Sequence, residues 1–77
     1  MENFSKEAAL SQLAKRVKEL RKLKGVSQQN AYNDTGIHFA RIEQGKIDIS
    51  HTTLLRICEY FEISLKDFFD DNLQLNT

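Results

Sequence analysis

The sequence predicts an all-α fold, a compact bundle of five helices. Apolar residues recur at intervals of three and four along the chain, which is the spacing of one face of a helix with 3.6 residues per turn. No segment alternates apolar and polar residues between turn residues, as a half-buried strand does. The chain contains no proline, and three glycines separate the predicted helices.

The first predicted helix runs from residue 5 to 24 and ends at Gly25, because glycine readily takes the left-handed conformation of a helix C-terminus. Basic residues in its last turn favour this end of the helix dipole. Its buried face carries Leu10, Leu13, Val17 and Leu20.

The next two predicted helices are short and lie close together. Ser27 is the expected N-cap of helix two, which covers residues 28–32. Thr35 is the expected N-cap of helix three, which covers residues 36–44 and stops at Gly45.

Serine caps also mark the last two predicted helices. Ser50 begins helix four, and Ser64 with Asp67 has the spacing of a capping box at the start of helix five. The apolar stripes of these helices are Leu54, Ile57, Cys58 and Phe61 in helix four, and Leu65, Phe68 and Phe69 in helix five.

Length and composition indicate one domain over residues 1–77, with a core at about 10–70, a short N-terminal extension and a C-terminal tail. A single cysteine, Cys58, excludes an intramolecular disulfide and favours the cytoplasm. No apolar run approaches the roughly 20 residues of a membrane span, so no membrane association is expected.

The net charge is zero, but the charges are unevenly distributed. Residues 1–46 carry nine basic and five acidic residues, a net charge of +4, whereas residues 47–77 carry a net charge of −4. A polyanion responds to the local field of one face of a protein, so the first half is a candidate nucleic-acid surface.

The two short helices have the character of a helix-turn-helix, in which the second helix enters the major groove of DNA. Phe39 and Ile42 are expected to be buried. The opposite face of helix three then presents groups that can contact base edges, phosphates or a thymine methyl: Gly36, Ile37, His38, Arg41 and Gln44.

An ordered set of motifs resembles the lambda-repressor/Cro-like helix-turn-helix family, also called XRE, over residues 12–70. The motifs are Leu20-Arg21, Gly25-Val26-Ser27-Gln28, Arg41-Ile42-Glu43-Gln44-Gly45 and Ile63-Ser64-Leu65. The resemblance implies a lambda-repressor-like fold and a bacterial transcriptional regulator, a repressor, that acts at the nucleoid on double-stranded DNA. Such a protein reads a palindromic operator as a dimer.

The resemblance also implies residue roles. Gln28, Gln29, Gln44 and Lys46 correspond to phosphate contacts, Thr35 to the start of the recognition helix, and Gly36, Ile37, His38 and Arg41 to base-edge readers. Arg21 and Glu43 correspond to an internal ion pair that holds helix one against helix three.

One departure from the family affects these roles. The stretch from Ser27 to Glu43 is three residues shorter than usual. We place the deletion in helix two, because Thr35 then caps the recognition helix. The alternative keeps Gly36 as the turn glycine and shortens helix three, in which case Ile37 is buried.

No other chemistry is indicated. His38, His51 and Cys58 lack the spacing of metal ligands, and there is no glycine-rich phosphate loop, so no metal, cofactor or enzymatic activity is expected. Cys58 lies on the apolar stripe of helix four and is interpreted as a buried structural thiol.

The C-terminal region suggests a partner. Phe68, Phe69, Leu73 and Leu75 exceed what a small core hides, which favours a homodimer through the C-terminal helix. In the alternative, the two phenylalanines complete the core and residues 70–77 form a tail. A second function class, a protein-interaction module such as an antitoxin, would use this apolar surface instead of DNA.

Overall fold

The computed structural model describes residues 4–70, which form five helices and no strand. They are α1 (Lys6–Lys24), α2 (Gln28–Thr35), α3 (Phe39–Glu43), α4 (His51–Tyr60) and α5 (Leu65–Phe68). The all-helical architecture predicted from the sequence is confirmed. Within this part of the chain, no helix is long and apolar enough to cross a membrane.

Serine residues begin four of the five helices. Ser5, Ser27, Ser50 and Ser64 each accept, through the side-chain oxygen, a hydrogen bond from a backbone N–H in the first turn of the helix that follows. Such a cap satisfies one of the N–H groups that have no partner within the helix. The predicted caps at Ser27, Ser50 and Ser64 are therefore confirmed.

The predicted start of the third helix is wrong. Thr35 is the last residue of α2, where its hydroxyl donates to the Ala31 carbonyl at 2.7 Å and accepts from the Ile37 N–H at 3.0 Å. Gly36 ends α2 in the left-handed conformation (φ 77°), which a glycine adopts without strain. Helix α2 has eight residues and α3 only five, so the third helix, not the second, is the short one. These lengths agree with the alternative that keeps Gly36 as the turn glycine.

The core lies where the five helices meet. Its buried members are Val17, Leu20, Ala31, Ile37, Phe39, Ile42, Ile57, Cys58 and Phe68. The predicted stripe of α4 is confirmed, with Ile57 and Cys58 buried and Leu54 and Phe61 packed against them. In α3, the side chains of Phe39 and Ile42 are 0% and 2% exposed, so they hold this short helix against the rest of the bundle.

A buried arginine attaches the last helix to the first. Arg16 on α1 is only 5% exposed. Its Nη2 donates to the Asp67 carbonyl at 2.6 Å, and its Nε donates to the Phe68 carbonyl. A cation that binds the last carbonyls of a helix satisfies acceptors without partners within the helix and interacts favourably with the helix dipole.

We expect Arg16→Met to lower the free energy of unfolding by about 2–3 kcal/mol, because the α5 carbonyls lose charged donors while most of the buried volume is kept. Urea denaturation followed by circular dichroism measures this change. Lys15→Met, at the exposed neighbouring position on α1, is the control and should leave the midpoint unchanged. Equal midpoints for the two variants would show that Arg16 does not secure α5.

Candidate nucleic-acid interface

The orientation of α3 is set by an ion pair with α1. Arg21 donates from Nε to Glu43 Oε2 at 2.7 Å and from Nη2 to Glu43 Oε1 at 2.9 Å. The two side chains are only 11% and 4% exposed. Two parallel hydrogen bonds between a guanidinium and a carboxylate restrict both distance and angle. The structure therefore contains the ion pair that the resemblance implied.

The same ion pair reaches the first turn of α2. Arg21 Nη1 donates to the Val26 carbonyl at 2.9 Å, in the turn before α2. Gln28 Nε2 donates to Glu43 Oε1 at 3.0 Å. One cluster thus joins α1, α2 and α3 at the place where the helix-turn-helix begins.

The pKa of Glu43 reflects these contacts. Burial raises the pKa of this carboxyl group, but hydrogen bonds from Arg21 and Gln28, together with the nearby charges of Arg21 and Lys18, outweigh burial and hold the pKa below its ordinary value of 4.5. Hydrogen bonding to Glu43 likewise raises the pKa of Arg21, against the effect of burial. Both partners are therefore charged at neutral pH.

A cleft of about 420 Å³ opens between the first turns of α2 and α3. Gln28 and Gln29 line its α2 side, and His38, Ala40 and Arg41 line its α3 side. Four of the predicted DNA-contacting residues, the two glutamines with His38 and Arg41, are therefore brought together, and all four are exposed.

Three polar residues lie at intervals of three along the exposed side of α3. His38 is the N-cap position, Arg41 lies within the helix, and Gln44 is the C-cap position. With 3.6 residues per turn, this spacing keeps neighbouring members of the row on adjacent parts of one surface. Lys46, also exposed, follows two residues after Gln44. The short helix thus presents its polar groups mainly at its two ends.

Ile37 is not available as a base reader, and that prediction is wrong. Its side chain is 6% exposed and belongs to the core. Because Gly36 ends α2 and α3 begins only at Phe39, residues 36–38 form the turn, and the apolar side chain in the turn points inward. Gly36 remains exposed in this turn, and Thr35 is half-buried within α2.

Tyr32 is a cleft residue that the sequence analysis missed. Its ring lies 4.8 Å from the His38 ring, centroid to centroid, and the two planes are inclined by 31°. His38 is the N-cap residue of α3 and its side chain makes no capping hydrogen bond, so the contact with Tyr32 is what restrains its ring. The sequence did contain an indication of this position: Tyr32 follows Gln28 by four residues, which places both side chains on one face of a helix.

Arg56 is a second residue that sequence reasoning missed. Although it lies on α4, in the acidic half of the chain, it lines a groove of about 240 Å³ together with His38 and Arg41. Its Nη2 donates to the Thr35 carbonyl at 2.5 Å, which satisfies an acceptor at the end of α2. A positive group from α4 therefore adjoins the exposed side of α3.

The end of α2 is also held by a tyrosine. The Tyr60 hydroxyl donates to Asp34 Oδ2 at 2.6 Å, and this hydrogen bond, with burial and the carboxylate charge, raises the pKa of Tyr60 to about 12. Lys24 Nζ lies 4.9 Å from the centroid of the same ring. These contacts join α1, α2 and α4 behind the turn.

The single cysteine lies in the core, away from the cleft. Cys58 is buried, and burial raises the pKa of its thiol, which keeps it protonated. No cluster of three or more potential metal ligands occurs between residues 4 and 70.

Comparison with known proteins identifies no relative. The chain matches no protein-family model, no curated protein and no solved structure at a significant level.

We expect Glu43→Gln to lower the free energy of unfolding by about 3 kcal/mol at neutral pH, because Arg21 is left buried without a counter-charge. The pH dependence should change as well. The folded-state pKa of Glu43 lies below 4.5, so this carboxylate stabilises the fold above that pH, and the stabilisation is lost as the pH falls through the folded-state pKa.

Urea denaturation at a series of pH values from neutral to strongly acidic measures both effects. The variant should show a flatter dependence of stability on pH below 4.5 than the unmodified chain. Glu59→Gln, at an exposed position on α4, serves as the matched control. If the two variants behave alike, the Arg21–Glu43 pair does not stabilise the fold.

Proposed function

We propose that this protein is a sequence-specific DNA-binding transcriptional regulator, a repressor of the lambda-repressor/Cro-like type, with α2 and α3 as its helix-turn-helix. The observation that carries the proposal is the exposed row of His38, Arg41 and Gln44 beside the amides of Gln28 and Gln29. Gln28, Gln29, His38 and Arg41 line one cleft between two short helices, and Gln44 follows at the C-cap of α3. The ion pair between α1 and α3 restricts the orientation of α3.

The dimensions of α3 suit a DNA groove. An α-helix with its side chains is about 10–12 Å across, and the major groove of B-DNA is about 12 Å wide. Within the groove, Arg41 can donate two hydrogen bonds to guanine, and the Ala40 methyl group can contact the methyl group of thymine. His38, restrained by Tyr32, can donate to or accept from a base edge.

Phosphate contacts would come from the residues around this row. Lys46 is exposed just after α3, and Gln28 keeps one amide hydrogen free of its bond to Glu43. Arg56 adds a positive group beside Arg41. The net charge of +4 in residues 1–46 supports the approach of a polyanion to this half of the chain.

A palindromic operator requires two copies of the domain. We assign the contact between them to the C-terminal region, where Phe68 completes the core while Phe69 is 55% exposed. Half-sites centred one helical turn apart, about 34 Å, would then face the two copies. In a bacterial cell, such a dimer would act at the nucleoid in the cytoplasm.

Selection of bound sequences from a random pool of DNA duplexes tests the proposal directly. We expect an enriched palindrome whose half-site spacing reports the dimer. For the enriched duplex, a dimer that makes about six to eight phosphate contacts should give a slope of about −5 to −7 in a plot of log affinity against log salt concentration.

A flat salt response without enrichment would overturn the proposal. It would favour the second candidate, a protein-interaction module such as an antitoxin, for which the exposed Phe4 and Phe69 are the supporting observation.

Substitution of two cations should separate base reading from phosphate contact. We expect Arg41→Ala to cost about 1–3 kcal/mol of binding free energy and to relax the preference at one base position of the selected site. Lys46→Ala, the matched variant, should weaken binding to all duplexes equally and reduce the salt slope by about 1. Uniform weakening by Arg41→Ala would make Arg41 a phosphate contact instead.

A further inference from the structure

A further concave surface lies between the first half of α1 and the start of α4. It is a groove of about 400 Å³ that includes Phe4, two residues before α1, and Phe69, directly after α5. Its apolar lining comes from Phe4, Leu10, Leu13, Ile49, Leu54 and Phe69. None of the residues that line the cleft between α2 and α3 lines this groove.

Two large aromatic side chains are exposed at the groove. Phe4 is 63% exposed and Phe69 is 55% exposed, and neither belongs to the core cluster. Single apolar residues on a surface are ordinary, but two phenylalanines beside an apolar groove form a continuous patch. Such a patch is typical of a surface that a partner covers.

The charges at the groove are arranged so that the surface complements a copy of itself. Lys6 lies on the α1 wall, and Asp48 lies on the opposite wall, in the segment before α4. Within residues 4–70, Lys6 has no ion-pair partner, and the Asp48 carboxylate accepts only from the N–H of its neighbour Ile49. A twofold axis brings the same patch of two copies together, so each Lys6 can meet the Asp48 of the other copy.

We propose that a second copy of this chain docks at this groove. Phe4 and Phe69 of each copy then pack on the apolar lining of the other, and two symmetric Lys6–Asp48 pairs flank the contact. The biological use of this interface rests on the proposed function, in which a dimer binds DNA. The inference adds that the dimer interface includes α1 and the start of α4 as well as α5. The cleft between α2 and α3 is lined by other residues, so the two proposed contacts do not compete for the same side chains.

Charge reversal of the full-length chain, measured by sedimentation equilibrium without DNA, tests the proposal. Lys6→Glu and Asp48→Lys should each raise the dimer dissociation constant about tenfold or more, because each places like charges together twice. The double variant, Lys6→Glu with Asp48→Lys, should return the constant to near that of the unmodified chain. Lys22→Glu, at an exposed α1 position outside the groove, is the control and should leave it unchanged.

Loss of folding does not explain the expected result of the first variant. An acidic residue in the first turn of a helix interacts favourably with the helix dipole, so Lys6→Glu should preserve or increase the stability of α1. Phe69→Ser is a second, uncharged variant that should also weaken the dimer. Circular dichroism establishes that each variant is helical.

The proposal is overturned if the unmodified chain is monomeric, if the single reversals leave the constant unchanged, or if the double variant is as weak as the singles. The groove would then not be a contact between copies of this chain. The DNA selection distinguishes the two proposals. A dimer that enriches no duplex contradicts the proposed function alone, whereas a monomer that enriches a duplex contradicts this inference and dimeric binding to a palindrome but leaves DNA binding intact.

Discussion

The buried ion pair between Arg21 and Glu43 is the constraint on which the rest of the candidate interface depends. It joins α1 to α3. Arg21 also donates to the Val26 carbonyl and Glu43 accepts from Gln28, so the pair is connected to the start of α2 as well. A helix of five residues has almost no stability of its own, since isolated helices shorter than about 12–15 residues are marginal in water. The direction of α3 is therefore set by its neighbours, through this pair and through the buried Phe39 and Ile42.

A short third helix changes how such a domain could read DNA. With about one and a half turns, α3 offers few side chains from its own interior. The polar groups next to it come from the turn before it, from its C-cap, and from α2 and α4. His38 is restrained by Tyr32, and Arg56 adjoins Arg41, so the candidate surface is composite. Specificity in this arrangement would depend on how these elements pack, as much as on the residues of the helix itself.

The far end of the chain is organised by a different arginine. Arg16 binds the last carbonyls of α5, which fixes Phe68 in the core and leaves Phe69 beside the groove. The cleft between α2 and α3 and the groove between α1 and α4 have no lining residue in common. Amide and basic side chains contribute to the lining of the cleft, whereas the lining of the groove is mainly apolar. Under the two proposals, DNA would bind at the first surface and a second copy at the other.

Features that follow from local chemistry could be predicted from the sequence: the helical class, the serine caps, the α4 stripe and the buried positions of Phe39 and Ile42. The motifs also implied the Arg21–Glu43 pair. Long-range packing was needed to establish where α2 ends, that Ile37 is buried, and which contacts Arg16, Tyr32 and Arg56 make. The segment at Thr35 and Gly36 allows two interpretations. Threonine is a favourable N-cap, so a helix can begin at Thr35, and glycine readily takes the left-handed conformation, so a helix can instead end at Gly36. Local preference does not distinguish between these alternatives, but contacts with distant parts of the chain do. Ile37 is buried in the core, and Arg56 donates a hydrogen bond to the Thr35 carbonyl at the end of α2.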